Sequence, residues 1–219
     1  MKLFLNKQDY VDYDIIEKDD TVQDYLTAIE KFLEENPVPC HMCVNGCCDR
    51  GLYIMVDNVA IKRIAKSKEE DYVQFIKENA VINEDLFYLK NIGKSCLFLN
   101  ENKKCNIYTL RPLVCQVYMC KNVTDRHYLL KHLITHIFGA AGVFEYLLLT
   151  QKRKIMNTPI KYKKNPAIFA ESYKDVKIID ILDYVIKADA IDNNTMPIFE
   201  RILLPSEDII KPSFKINKG

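Results

Sequence analysis

The stretch "CLFLNENKKCNIYTLRPLVC", running from Cys96 to Cys115, carries three cysteines, and its reading decides what kind of fold this chain has. Two short apolar runs flank the polar tip "NENKK", which predicts a β-hairpin with Cys96 and Cys105 on its two arms. "TLRPLVC" then breaks the extended pattern. Pro112 has no N–H, disfavours helix at Arg111 and suits the first turn of a helix, which puts Cys115 one turn into it. Cys120 follows after four intervening residues.

Outward on the N-terminal side, "PCHMCVNGCCDRG" (Pro39 to Gly51) places Cys40, Cys43, Cys47 and Cys48 within nine residues. All eight cysteines of the 219-residue chain lie between Cys40 and Cys120, so they form one functional unit. "MKLFLNKQDY" lacks the apolar core of a signal peptide, and the expected location is cytoplasmic. In a reducing compartment a dense cysteine set reads as metal-binding or catalytic before it reads as disulfides.

Spacing narrows the metal. The pattern is Cys40-x2-Cys43-x3-Cys47-Cys48, then Cys96-x8-Cys105-x9-Cys115-x4-Cys120. Structural zinc takes four tetrahedral ligands, commonly from two paired CxxC knuckles, and only one CxxC is present. An iron–sulfur cluster accepts a short-spaced triple plus a remote cysteine from irregular loops. Eight cysteines suffice for two 4Fe-4S clusters, and seven leave one iron open. One or two iron–sulfur clusters are therefore the first reading and zinc the alternative. The triple runs x2 then x3, the reverse of the CxxxCxxC of ordinary radical S-adenosylmethionine enzymes.

These residues resemble the YkgJ-type cysteine-cluster family, the CxxCxxCC zinc- or iron-chelating domain. Its run of a cysteine, an aromatic-Leu pair, a second cysteine, Ile-Tyr, Arg-Pro and a third cysteine is matched by Cys96, Phe98, Leu99, Cys105, Ile107, Tyr108, Arg111, Pro112 and Cys115. The resemblance covers Cys40 to Cys120. It departs in two places: three residues instead of two precede the Cys47-Cys48 pair, and Gln116 stands where a basic residue is common. Relatives include a flagellin lysine N-methylase, so the resemblance implies a metal centre and, for some members, S-adenosylmethionine and a protein or peptide substrate.

Other residues offer secondary readings. Arg111 has a guanidinium fork suited to a carboxylate or to cluster sulfurs, or to a structural bond pinning the hairpin to the next turn. Tyr108 is a candidate proton donor or a core ring. His132 and His136, with Asp125 upstream, share a helical face, and His41 sits inside the cysteine loop. Lys152, Arg153, Lys154, Lys161, Lys163 and Lys164 suit a solvated face after a helix end. No GxGxxG after a strand, GxxxxGK(S/T) or HExxH is present. With 31 basic and 30 acidic residues, no global field favours nucleic acid or an anionic membrane, and neither partner is expected.

The remaining punctuation gives a mainly α fold class with a small β-hairpin: an irregular cysteine-rich metal-binding module plus a helical C-terminal part. Three segments are expected: 1–36 N-terminal helical, 37–122 the cysteine-cluster module, and 123–219 helical and packed on the module. Helices are expected from about Thr21 to Glu35, through "NVAIKRIAKS" capped by Asp57, and over "EEDYVQFIKEN". Further helices are expected from about Thr124 to Met156, over "YKDVKIIDILDYVIKA", and over "NTMPIFERILLP". "LYIMV" reads as strand-like. The apolar run "LITHIFGAAGVFEYLLLT" is long enough to cross a membrane but carries His136, Glu145 and two glycines, and reads as a buried helix.

Overall fold

The structure is a computed structural model and describes residues 1–37, 47–49, 51–83, 86–151 and 164–187. It is mainly helical with short antiparallel strand pairs. In chain order the elements are β1 (Leu3–Leu5), β2 (Val11–Tyr13), α1 (Val22–Glu35), α2 (Asn58–Ser67), α3 (Tyr72–Asn79), β3 (Ala80–Asn83), β4 (Leu86–Leu89), β5 (Asn91–Ile92), β6 (Ser95–Cys96), α4 (Leu113–Gln116), α5 (Asp125–Thr150) and α6 (Ile178–Lys187). A 3-10 turn at Cys47–Asp49 stands before α2, and another at Tyr108–Leu110 before α4. The expected helix "NTMPIFERILLP" lies outside the described residues.

Helix starts follow their caps. Thr21 accepts from the Asp24 amide while the Asp24 carboxylate accepts from Thr21, a reciprocal capping box that starts α1 where the sequence places it. Asp57 caps α2 through the Ala60 amide. The third helix begins at Tyr72 rather than in the preceding "EED", because Asp71 turns its side chain to the Gln74 amide and becomes the cap. Thr124 caps α5.

Small antiparallel hairpins are present as the sequence reading expects, and their extent differs from it. Residues 96–107 do turn back on themselves, with Leu99 bridging Cys105 and Asn106 N donating to Phe98 O at 2.9 Å, but no ladder extends from that bridge. Asn100 instead organises the tip, its side chain accepting from the Lys104 amide. Cys96 pairs with Asn91 across β5–β6. The fuller pairings are β1–β2 and β3–β4, both antiparallel. "LYIMV" contributes one bridge, Met55 to Tyr88, along β4.

Two apolar clusters share α5 as a spine. The first joins β1–β2, the inner face of α1 (Val22, Tyr25, Leu26, Ile29, Phe32), Leu130, Ile134 and Phe138 of α5, and Ile178, Ile181, Leu182 and Val185 of α6. The second joins α2, α3, β4, Cys96, Phe98 and Val143. Helix α5 is long and apolar enough to cross a membrane, with mean hydropathy 1.5 over its most apolar window, half of which is buried inside the protein. Its Glu145 faces protein: 3% exposed, it accepts from the Asn58 side chain at 2.6 Å and from the Phe169 amide at 2.8 Å, and pairs with Lys62 at 3.1 Å. Gly139 and Gly142 mark close packing in an unbroken helix. A Cβ on Gly142 would lie 3.3 Å from the Asn58 backbone nitrogen of α2.

Candidate metal centre

Three separate segments deliver thiols to one neighbourhood. Cys47 and Cys48 come from the 3-10 turn, Cys96 and Cys105 from the arms of the 96–107 turn, and Cys115 from α4. Asp49 joins the first two segments, accepting from the Ser95 hydroxyl beside Cys96 and from the Lys103 ammonium near Cys105. That double contact, Lys103 contributing most and desolvation opposing, holds the Asp49 carboxyl below its usual range. The chain then turns at Gly51, whose φ of +71° favours glycine and whose amide donates to Lys94 O. Nothing in the cysteine spacing distinguishes Asp49. The signal available in the sequence is only its place directly after the Cys47-Cys48 pair.

Helix α2 fixes the third segment. Asp57 accepts from the Leu113 amide at 2.7 Å, and Arg63, half-buried one and a half turns on, donates to Thr109 O at 2.7 Å. Gln116, which replaces the basic residue common in the resembled family, donates its side-chain amide to Arg111 O at 2.7 Å. With the chain held on both sides of Pro112, α4 presents Cys115 as its third residue.

The thiols feel one another. Burial pushes the Cys48 thiol up to about 11, and Cys96, Cys105 and Cys47 push it in the same direction. Burial likewise raises Cys115, with Cys48, Cys96 and Cys105 adding to it, and raises Cys96, with Cys105 adding. The Arg111 guanidinium acts against the rise at both Cys48 and Cys115. Cys48, Cys96, Cys105 and Cys115 are thus mutual electrostatic neighbours backed by the second apolar cluster. A second grouping lies beside them: Tyr118, hydrogen-bonded to Cys47 and Cys120, is pushed up to about 12, Cys47 being the largest cause.

Arg111 and Tyr108 sit together. The guanidinium carbon of Arg111 is 3.8 Å from the centroid of the Tyr108 ring, and that ring is 63% exposed rather than part of a core. The Arg111 Nε is buried without a hydrogen-bond acceptor among the described residues. A buried N–H donor with no acceptor is costly. Placed next to Cys48 and Cys115, it suits sulfurs that carry negative charge.

The donor set therefore fits a thiophilic metal or a cluster. Thiolates would be its ligands, a bound cation would offset the burial and the mutual repulsion that raise Cys48, Cys96 and Cys115, and Arg111 would supply a donor to the ligand sulfurs. Among the described residues no three His, Cys, Asp or Glu side chains already converge at ligating distances. Cys40, Cys43 and His41 lie outside the described residues, as do Lys152, Arg153, Lys154, Lys161 and Lys163. His132 and His136 form an exposed ladder on α5, ring centroids 4.1 Å apart, with Tyr128 stacked on His132. No third ligand joins them among the described residues.

Residues 39–132 match the family model CxxCxxCC, described as "Putative zinc- or iron-chelating domain". The match supports metal binding by this cysteine cluster and spans every cysteine of the chain. No solved structure matches the fold.

Proposed function

With residues 39–132 matching a zinc- or iron-chelating family, we propose that the chain is a metal-binding protein whose cysteines hold an iron–sulfur centre, one or two 4Fe-4S clusters, and that it is an enzyme acting at that centre. The observation that carries the reading is the gathering of Cys48, Cys96, Cys105 and Cys115 from three segments around a buried, acceptor-less Arg111 Nε. Cys47 and Cys120 stand beside this group, and Cys40 and Cys43 complete the thiol supply in the sequence. Eight thiols exceed what a single structural zinc needs.

The chain's own residues do the following in this reading. Cys48, Cys96, Cys105 and Cys115 bind the centre as thiolates, and the second apolar cluster behind them excludes water. Arg111 donates to their sulfurs. Tyr108, outside on the same guanidinium, lines the approach and offers a phenol to a substrate. Bound there, the centre supplies electron transfer or activates S-adenosylmethionine, as in redox chemistry or protein modification such as lysine N-methylation. A reducing compartment suits it.

The test is anaerobic purification with iron, sulfide and zinc measured per chain beside the visible spectrum. Four or eight irons with matching sulfide and a brown chromophore support the reading. One or two zincs and no colour overturn it in favour of the second reading, a zinc-stabilised protein-binding module. That alternative has its own observation: Leu52 and Tyr53, 52% and 72% exposed, follow the cysteine loop directly and present an apolar surface.

A further inference from the structure

The residues that would ligate metal are not the ones that set where the third segment lies. Helix α2 does that with two side chains on either side of the Arg111-Pro112 step: the Asp57 carboxylate on the Leu113 amide, and the Arg63 guanidinium on the Thr109 carbonyl. Asp57 is 2% exposed and has no cation beside it among its bonds; its other oxygen accepts from the Ala60 amide at 2.9 Å and from the Tyr173 hydroxyl at 3.0 Å. Tyr173 itself is 2% exposed and packs edge-on against Phe138 of α5, in the first apolar cluster. A single carboxylate therefore ties the start of α2, the start of α4 and the segment leading to α6.

We propose that Asp57, Arg63 and Tyr173 are positioning residues for the thiol centre, holding Arg111 and Cys115 in place for metal binding and coupling that centre to the 164–187 segment. The proposal rests on the metal-centre reading above. Burying a carboxylate is costly, and as a cap alone Asp57 needs only the Ala60 amide. Its remaining bonds go to a backbone amide two residues before Cys115 and to a phenol 116 residues away in the chain. Arg63 adds a second restraint two residues before Arg111, so residues 109–113 are held at each end with Arg111 between them and Cys115 directly after. Outer partners of this kind orient ligands they do not touch, and losing one typically weakens metal binding about 10- to 100-fold.

Cobalt(II) titrated into the metal-free full chain tests this, because thiolate-to-cobalt absorption reports thiolate coordination directly. Arg63→Gln and Tyr173→Phe leave the apolar packing in place, and Asp57→Asn keeps the shape of the cap. The expected result is a thiolate-to-cobalt band in the unaltered protein and about tenfold weaker cobalt binding in Arg63→Gln and Tyr173→Phe. The metal-free unfolding midpoint of Arg63→Gln stays close to that of the unaltered protein, Tyr173→Phe loses more cobalt affinity than its lowered metal-free midpoint accounts for, and Arg63→Lys recovers part of the affinity. Affinities unchanged in both variants, or weakened only in step with a lowered metal-free midpoint, overturn the positioning role while leaving the metal reading intact. No thiolate band in the unaltered protein takes down both.

Discussion

At the residue scale, the buried histidine of α5 makes the sharpest pH prediction. His127 is fully buried; its Nε2 lies 2.7 Å from the Tyr25 hydroxyl and its Nδ1 3.2 Å from Val11 O. The tautomer that satisfies both bonds donates from Nδ1 and accepts at Nε2. Burial pushes its pKa down from 6.5 to about 4, the Val11 bond opposing. The unfolded chain then binds the extra proton between those values, so this contribution is complete above pH 6.5 and is lost as pH falls toward 4, on the order of 3 kcal/mol. Urea unfolding between pH 7 and 4 should show that slope, and His127→Gln should flatten it. The cysteines make the second prediction: Cys48→Ser or Cys115→Ser should remove at least half of the bound metal, read by elemental analysis, with the metal-free fold preserved in its far-UV circular dichroism.

At the element scale, α5 packs closely at its two glycines. Gly142→Ala would press a methyl to 3.3 Å from a backbone atom of α2, which cannot rotate away, and should destabilise by about 1–3 kcal/mol in thermal or urea unfolding. Gly139→Ala meets Leu86 and Met55 side chains at 2.9 Å; these can move, so the loss should be smaller. The capping box of α1 gives a surface counterpart, Thr21→Ala costing about 1 kcal/mol by the same measurement. The start of α1 near Thr21, the Asp57 cap of α2, the start of α5 near Thr124 and the apolar stripe of α1 were legible because each is a local pattern. The extent of the hairpins was not. Strands of three or four residues leave too few alternations to read, and β3 exposes Val81 and Ile82 where a two-sided pattern would bury one of them.

At the scale of the whole molecule, stripping metal should lower the unfolding midpoint and speed hydrogen exchange across 95–117, while amides of Leu130 to Phe138, deep in the first apolar cluster, stay protected. The amino-acid sequence by itself determined the helical class, the approximate starts of α1, α2 and α5, the confinement of thiols to 40–120 and the Arg111-Pro112-to-Cys115 turn, because propensity, capping and cysteine spacing act over a few residues. Tertiary structure alone decided which thiols meet. Cys47 and Cys48 are neighbours in the chain, yet Cys48 joins Cys96, Cys105 and Cys115 while Cys47 shares the Tyr118 hydroxyl with Cys120. It also decided that Asp49, Asp57, Arg63 and Tyr173 hold the site, since each acts on a partner at least 46 residues away. Contacts at such separations are set by the packing of α2 against α5 and the closing of two apolar clusters, which no short window of sequence contains.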